Sequence, residues 1–321
     1  MTQTKAAEKI ILPTPFAVGD VNVFLIEGEK LTLIDAGVKT KEAKNALESQ
    51  LNERGYTISD IDQVILTHHH SDHCGLVDLF EGKELLGHED GQRYLVRNDE
   101  FMDWQREYFT GMSRKMGVPK EYMKYANNVE SMYTYSGSKP LTGFLKEGDK
   151  IPGHEDWSVM ETFGHSQGHL SFYHEETGSL IGGDLLLGRI SPNPILEPPK
   201  KKGDSRFKPQ LQLNESLKRI EKEKLNIVYP GHGGNITAVR SLIGKRLRRQ
   251  HERAMHVKEL IGDGKSTILE LAVQLFPKAI KRDPALALFE TLGQLDYLES
   301  IQKVEKQDAE GVLYYRVTTH E

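Results

Sequence analysis

The chain has 321 residues, of which 37% are hydrophobic, and this is enough apolar material for one large or two modest cores. Its 42 Lys and Arg residues face 47 Asp and Glu residues, so the formal net charge of −5 argues against a general nucleic-acid binder. No apolar run approaches the roughly 20 residues needed to span a bilayer, and the N-terminus lacks an apolar secretion signal. The single cysteine, Cys74, excludes an intramolecular disulfide, so we expect a soluble, cytoplasmic protein.

The sequence predicts alternating strands and helices up to residue 87 and further strands after residue 157. Short β-rich runs predict strands at 21–27, 31–34, 63–67, 83–86, 158–162, 170–173, 180–182 and 227–229. Apolar residues at helical spacing predict helices at 41–54, 76–80, 237–261, 268–276 and 285–298. We expect the first two strands to pair as a hairpin, and the Pro- and Lys-rich segment 191–209 to be a loop.

The C-terminal segment has its own order of elements. Two strands, at 301–305 and 312–317, follow three predicted helices and flank a polar turn at 308–311. This order of helices and ribbon is that of a winged helix. We therefore predict a domain boundary near residue 240, with a catalytic domain at 1–240 and a winged-helix-like domain at 241–321.

The segment from about residue 90 to residue 135 is helical in pattern and rich in bulky, flexible side chains. It contains five of the eight methionines and six of the twelve tyrosines. Two interpretations stay open: the side chains form ordinary core between helices, or the segment is an insertion that covers an apolar substrate pocket. Its positive and negative charges balance, which argues against a surface for a phosphate backbone.

A histidine-rich segment, THHHSDH at 67–73, follows a predicted buried strand. Residues two apart in an extended chain face the same side, so His68 and His70 can point to one metal ion. Asp72 and His73 come where the chain turns into the next helix, and they can face a neighbouring ion. Imidazoles with carboxylates at this spacing suit Zn²⁺, Fe or Mn rather than Ca²⁺ or Mg²⁺.

Three later junctions between strand and loop each offer a further ligand. His165 lies in the segment GHSQGH, Asp184 ends the segment GGD, and His232 lies in the segment PGH. We expect no metal binding by His69, which alternates away from its neighbours, or by Cys74, which is a small packing residue. The other histidines have no comparable context and are expected on the surface or in the core: His88, His154, His174, His251, His256 and His320.

These four motifs, in this order, resemble those of the metallo-β-lactamase superfamily, whose signature is T-H-x-H-x-D-H. The resemblance covers roughly residues 10–240. It implies an α+β fold in which an αββα sandwich carries two metals at one edge. In this chain the sandwich would have a helical insertion at about 90–135 and the winged-helix-like domain at its C-terminus.

The resemblance also implies a set of metal ligands. His68, His70 and His165 would bind the first metal, Asp72, His73 and His232 the second, and Asp184 would bridge them. Two metals about 3.5–4 Å apart can hold a bridging hydroxide as the nucleophile at neutral pH, so we expect two Zn²⁺ per chain, with Fe or Mn possible. Asp72 would be catalytic because it also orients the nucleophile. Asp35, in the family-like segment LIDAG, and His169 are the candidates for holding the ligands in position.

The fold does not decide the reaction, because members of the superfamily hydrolyse thioesters, lactones, β-lactams and phosphodiesters. Asp184 and the lack of a secretion signal argue against a β-lactamase, and the full ligand set resembles that of glyoxalase II. We predict a dinuclear metal-dependent hydrolase acting on a small ester or thioester with an apolar portion. The alternative is a phosphodiesterase or endoribonuclease that contacts RNA through the winged helix.

Basic residues crowd the predicted helix 237–261 and could contact phosphates: Arg240, Lys245, Arg246, Arg248, Arg249 and Arg253. We favour the interpretation that they are mostly solvated, because the basic surplus from residue 240 onwards is small. The winged helix would then pack against the catalytic domain or a second subunit, so a homodimer is possible. Nucleic acid is the less favoured partner, and no membrane partner is expected.

Overall fold

Two β-sheets packed face to face form the centre of the protein, in a computed structural model that describes residues 7–123 and 128–318. The first sheet contains, in spatial order, β1 (Glu8–Leu12), β2 (Val21–Ile26), β3 (Thr32–Ile34), β4 (Gln63–Ile65), β5 (Glu84–Gly87) and β6 (Gly143–Phe144). Strands β1 to β3 are antiparallel, whereas β3 to β6 are parallel. The predicted hairpin is confirmed, because Phe24 in β2 pairs with Ile34 in β3.

The second sheet has five strands. They are β7 (Lys150–Ile151), β8 (His154–Glu161), β9 (Leu170–His174), β10 (Ser179–Gly183) and β11 (Ile227–Pro230), with spatial order β11-β10-β9-β8-β7. Only the pair β10 and β11 is parallel within this sheet. Both sheets therefore contain parallel neighbours whose carboxyl ends lie together, and such ends commonly carry functional side chains.

Helices cover the outer faces and build the C-terminal region. They are α1 (Lys41–Asn52), α2 (Ser71–Cys74), α3 (Gln92–Val96), α4 (Asp99–Lys115), α5 (Pro209–Ile220), α6 (Val239–Ile261), α7 (Ile268–Leu275) and α8 (Pro284–Ser300). A third sheet has the order β12 (Ser266–Thr267), β14 (Val312–Val317), β13 (Val304–Ala309). Among the described residues, no helix combines the length and the apolar character that crossing a membrane requires.

Alternating side chains of the strands divide the core of the sandwich into layers. In β2, Phe24 faces the second sheet and packs with Phe172, while Val23 faces outward into a cluster that includes Leu47 of α1. The outer face of the second sheet is covered by α5, through residues such as Leu217. Because a strand exposes successive residues to opposite faces, fully apolar strands such as β2 require cover on both sides. The result is the expected order of helix, sheet, sheet and helix.

The segment 90–135 and the C-terminal region share one hydrophobic core. Met112 and Met116, from α4 and its end, are buried in the same cluster as Val257 of α6 and Leu292 of α8. The amide of Leu269 also donates to the carbonyl of Met116 at 2.9 Å. Packing therefore accounts for part of the methionine content of this segment, as the core interpretation expects. Met132, by contrast, is 48% exposed.

The C-terminal region contains three helices followed by an antiparallel ribbon, in the predicted order. The first of these helices, α6, contributes to two hydrophobic clusters. Ile243 packs against the second sheet, and Val257 packs in the C-terminal core. The division into residues 1–240 and 241–321 stays a prediction, as does the winged-helix assignment. The ribbon strand expected at 301–305 is instead β13, Val304–Ala309.

Candidate metal centre

The predicted site residues follow strand ends at one edge of the sandwich. Asp35 follows β3 and the segment 67–73 follows β4, and these two strands are parallel neighbours in the first sheet. Asp184 follows β10 and His232 comes after β11, which are parallel neighbours in the second sheet. His165 lies in the connection between β8 and β9. Both sheets thus bring side chains to the seam between them.

Three histidines form a first group that could hold a metal ion. The ring nitrogens of His68, His70 and His165 that face the site lie within 4.8 Å of one another. His70 Nδ1 and His165 Nε2 are 2.9 Å apart. Two residues of this group come from the end of β4 and the third from the opposite sheet, so only the closed sandwich assembles the group.

A second group combines a carboxylate with two histidines. Asp72, His73 and His232 offer atoms within 4.8 Å of one another. His232 Nε2 lies 3.3 Å from Asp72 Oδ2. Asp72 and His73 lie inside the short helix α2 that follows β4, whereas His232 approaches from the second sheet.

Asp184 lies between the two groups. Its Oδ1 is 3.6 Å from His73 Nε2, and its Oδ2 is 3.6 Å from both His165 Nε2 and His232 Nε2. Asp184 also forms a third group with His68 and His73 that could hold a metal ion. A carboxylate that reaches both sets of imidazoles has the geometry to be shared by two cations.

Four buried atoms in this cluster have no hydrogen-bond partner in the part of the chain that the structure describes: His68 Nε2, His73 Nε2, His232 Nε2 and Asp184 Oδ1. An unsatisfied buried polar atom costs about 1–3 kcal/mol, so such atoms are rarely left without a ligand. Their chemistry, three imidazole nitrogens and one carboxylate oxygen, is that of a transition-metal site. The residues present therefore fit a bound metal.

The opposite nitrogens of the imidazole rings are held by acceptors. His73 Nδ1 lies 2.7 Å from Asp35 Oδ2, and His165 Nδ1 and His232 Nδ1 lie 2.9 and 2.7 Å from the carbonyl oxygens of Asn193 and Asp20. Because carboxylate and carbonyl oxygens can only accept, each Nδ1 must donate a proton. In the neutral form of each ring the free lone pair then lies on Nε2, which faces the cluster and can bind a metal.

Asp35 connects the two sheet-end segments of the site. Besides His73, it accepts hydrogen bonds from the backbone amide of Thr67 at 2.7 Å and from the Thr67 hydroxyl at 2.8 Å. The Thr67 hydroxyl in turn lies 3.0 Å from His68 Nδ1. Asp35 has a φ of 64°, a left-handed conformation that is strained for most residues but tolerated by Asp and Asn. The predicted supporting residue thus contacts one histidine directly and another through Thr67.

His169 contacts the backbone at Asp184. Its Nε2 accepts the backbone amide of Asp184 at 3.1 Å, and its Nδ1 lies 2.8 Å from the hydroxyl of Thr162. Both ring nitrogens of His169 are thus engaged, one with Thr162 and the other with the Asp184 backbone. His169 therefore holds the turn that carries the Asp184 carboxylate and offers no free nitrogen to the two ligand groups.

Burial and charge set the protonation of the cluster. Burial, reinforced by neighbouring histidines, lowers the pKa of His68 and His70 well below the ordinary value, so both rings are neutral. Burial opposes the charge on His73, but Asp35, Asp72 and Asp184 outweigh it and raise its pKa to about 10. Burial opposes ionisation of Asp72, but His73 and His232 lower its pKa to about 2. The carboxylates around His73 therefore favour a positive charge at this point, which a proton or a metal cation can supply.

A family model for the metallo-beta-lactamase superfamily matches residues 17–232, which include all four motifs. The chain belongs to this superfamily. It is 42% identical to the "Probable metallo-hydrolase YqjP" of Bacillus subtilis (strain 168) over 308 residues, which cover 96% of each protein. It is 22% identical to the "Atrochrysone carboxyl ACP thioesterase" of Aspergillus fumigatus, a match that covers 79% of this chain and 47% of the relative.

Two solved structures share the architecture over nearly the whole chain. A metallo-beta-lactamase family protein from Thermus thermophilus has a TM-score of 0.78 and 28% identity, and the match covers 97% of this chain and 98% of the other. A beta-lactamase domain protein from Burkholderia ambifaria has a TM-score of 0.80 and 22% identity, with 98% and 93% covered. The metallo-hydrolase relative and the His/Asp groups support a metal-dependent hydrolase.

One buried carboxylate beside the candidate metal ligands was not predicted from the sequence. Glu197 is 2% exposed and, with His69 and His70, forms a further group that could hold a metal ion. Burial raises the pKa of Glu197 to about 7, although the amide of Gln167 and the nearby Arg93 oppose that rise. Glu197 lies in the Pro-rich segment 191–209, where no pattern distinguishes it from a solvated loop residue.

His69 stacks on Tyr94, with ring centroids 3.6 Å apart and ring planes 10° apart. Its Nε2 is 3.8 Å from Glu197 Oε1. That His69 binds no metal stays a prediction. Five other histidines belong to no metal-capable group among the described residues, and His320 lies outside those residues: His88, His154, His174, His251 and His256.

Gly231 lies so close to the candidate metal ligands that the Cβ of an alanine at this position should disturb them. An added Cβ would lie 2.3 Å from Asp184 Oδ1 and 2.9 Å from His73 Cε1, closer than real contacts allow. We expect Gly231→Ala to lower the free energy of unfolding by about 1–3 kcal/mol and to reduce bound metal. Chemical denaturation and elemental analysis would measure the two effects.

Gly234→Ala is the matched control, because a Cβ at Gly234 meets no atom of the described residues within 4 Å. We expect this variant to keep the stability and metal content of the unmodified protein. Unchanged metal content in Gly231→Ala would contradict the close approach of Gly231 to the ligands.

Proposed function

We propose that this chain is a dinuclear hydrolase that binds two divalent metals, with Zn²⁺ favoured and Fe or Mn as alternatives. The ligand assignment is the one that the resemblance implies: His68, His70 and His165 for one metal, Asp72, His73 and His232 for the other, and Asp184 shared between them. The observation that carries the proposal is the convergence of four unpartnered buried atoms from both sheets on one point.

When bound, the metals supply a hydroxide nucleophile at neutral pH and polarise the group under attack. Asp72 has a side chain that is 13% exposed, so it lies where solvent reaches the cluster. As an ionised carboxylate it can accept a hydrogen bond from the attacking water and orient it. The Nδ1 atoms of three ligand histidines are held by the Asp35 carboxylate and by the carbonyl oxygens of Asn193 and Asp20. Because the rings are already oriented, the site needs little rearrangement when metal binds.

The proposed substrate is an ester or thioester with an apolar portion. The thioesterase of Aspergillus fumigatus among the relatives supports this class. Tyr94 from the 90–135 segment stacks on His69, and the His69 ring packs edge-on against His70, so this segment reaches the edge of the metal centre. That the rest of the 90–135 segment contributes to a substrate pocket stays a prediction. The homodimer also stays a prediction.

A panel of fluorogenic acyl esters and acyl thioesters tests this proposal. We expect turnover of at least one member, loss of turnover after chelation, and recovery after metal is added back. Asp72→Asn should reduce kcat, because the amide cannot serve as an ionised acceptor.

The competing function is hydrolysis of phosphodiesters in RNA. Lack of turnover on every acyl substrate, together with metal-dependent cleavage of single-stranded RNA, would replace the ester hydrolase with the nuclease. Elemental analysis of protein purified without added metal would identify the metal and its stoichiometry.

A further inference from the structure

A cavity of about 440 Å³ lies between α6, α8 and the segment that follows Asp184. This volume falls within the usual range for sites that bind small molecules. Four arginines line it, from two separate parts of the chain: Arg189, Arg246, Arg249 and Arg253. Three of them share one face of α6, because their spacing of three and then four residues matches the helical repeat.

The positive charge of this arginine-lined cavity exceeds the negative charge around it. The lining carboxylates are Asp283 and Glu290. Glu290 pairs with Arg253, at 2.5 Å, and Asp283 accepts the amide of Leu286 at the start of α8. Within residues 7–123 and 128–318, Arg189 and Arg249 form no ion pair, and both are exposed. Their guanidinium groups are therefore available to a ligand.

Arg246 is the buried member of the group, an exception to the expectation that these basic residues are mostly solvated. It is 6% exposed and donates to the carbonyl oxygens of Leu187 and Gly188, at 2.7 and 3.2 Å. Its Nε has no hydrogen-bond partner among the described residues. Burial, with the like charges of Arg249 and Arg253, lowers its pKa. A buried cation facing two more cations is a costly arrangement that a bound anion would relieve.

The cavity also adjoins the metal centre. Asn193 lines the cavity, and its carbonyl oxygen is the acceptor that holds His165 Nδ1 at 2.9 Å. Phe276 and Leu286 add apolar surface to the lining. A ligand that placed its anionic end among the arginines could therefore extend past Asn193 towards the histidines.

We infer that the arginine-lined cavity binds the phosphate groups of the substrate, so that the substrate is a phosphate-bearing thioester or ester. Several guanidinium groups around one space suit a multiply charged anion better than a single carboxylate, because each can form a bidentate, charge-assisted pair. The reacting bond would lie at the metal centre and the phosphate at the cavity. That this ligand is the substrate rests on the proposed function, whereas phosphate binding by itself does not.

Calorimetric titration of the full-length protein with inorganic pyrophosphate tests the binding. The variant is Arg189→Gln with Arg249→Gln, since both side chains are exposed and their replacement should leave the fold intact. We expect the affinity to fall by at least about tenfold. The matched control is Arg248→Gln, an exposed neighbour on α6 that does not line the cavity, and it should bind as the unmodified protein does.

Equal binding by the double variant and the unmodified protein would overturn the inference, because the pyrophosphate would then be held elsewhere, for instance by the metals. An equal loss in Arg248→Gln would also overturn it, in favour of a general basic surface such as RNA would use. Unchanged circular dichroism and metal content in all variants establish that only the cavity has changed.

A second arm tests whether the anion is part of the substrate. The KM for an acyl-coenzyme A, which carries phosphates, should rise at least about tenfold in the double variant, while the KM for the same acyl group on unphosphorylated pantetheine stays constant. Equal KM changes for both substrates would overturn the assignment to the substrate. If neither thioester is hydrolysed, the proposed function fails, but the pyrophosphate titration still decides whether the cavity binds phosphate.

Discussion

Replacing His70 with alanine should remove at least one equivalent of bound metal and abolish measurable turnover. Loss of an outer partner of a metal ligand typically reduces affinity by about 10–100-fold, and loss of the ligand itself should exceed that. His70 Nδ1 is 2.9 Å from His165 Nε2, so the variant removes one of the three imidazoles that make up this group. Elemental analysis of dialysed protein and an acyl-substrate assay would measure both losses.

His154→Gln serves as the control for this experiment. His154 is also buried, but its Nε2 contacts the hydroxyl of Thr32 and it belongs to no metal-capable group among the residues described. This variant should keep its metal and its activity. Full metal stoichiometry in His70→Ala would refute the assignment of His70 as a ligand.

The second large effect is expected at Asp35, which binds no metal in the proposed site. Asp35→Asn keeps the size of the side chain, and asparagine tolerates the left-handed φ of 64°. The carboxylate of Asp35 accepts hydrogen bonds through both oxygens, whereas the asparagine amide accepts through its one oxygen only. The contact with either His73 or Thr67 is therefore lost. We expect metal affinity to fall by about 10–100-fold with the fold retained.

Asp35→Ala should do more, because alanine is strained at this φ and leaves the buried donors of Thr67 and His73 without an acceptor. Each unsatisfied buried group costs about 1–3 kcal/mol, so denaturation should show a clear loss of stability. Asp62→Asn is the control, since Asp62 also accepts a backbone amide, from Leu31 at 2.7 Å, but is exposed and has no hydrogen bond to a histidine within the described residues. Equal metal affinity in Asp35→Asn and Asp62→Asn would remove Asp35 from the site.

Sequence patterns predicted the strands and helices best where buried apolar side chains recur at a regular spacing along the chain. The hairpin of β2 and β3 and the helix α1 are confirmed, because apolar side chains recur there at the spacing of each structure. Helix α5 was missed, because it begins at Pro209, directly after the Pro- and Lys-rich segment that reads as loop. Strand β13 was shifted, because its side chains are mostly exposed and polar and so lack an apolar alternation.

By itself, the sequence determined the superfamily and the residue types of the candidate metal centre, because the histidines and aspartates lie in short motifs that local chain geometry makes recognisable. Only the tertiary structure decided which atoms face one another: that Asp35 holds His73, that Glu197 is buried beside His69, and that Arg189 joins three arginines of α6 around one cavity. The reason is physical. Local spacing determines which side of one strand or helix a residue faces, whereas contacts between residues far apart in the chain depend on how the sheets and helices pack.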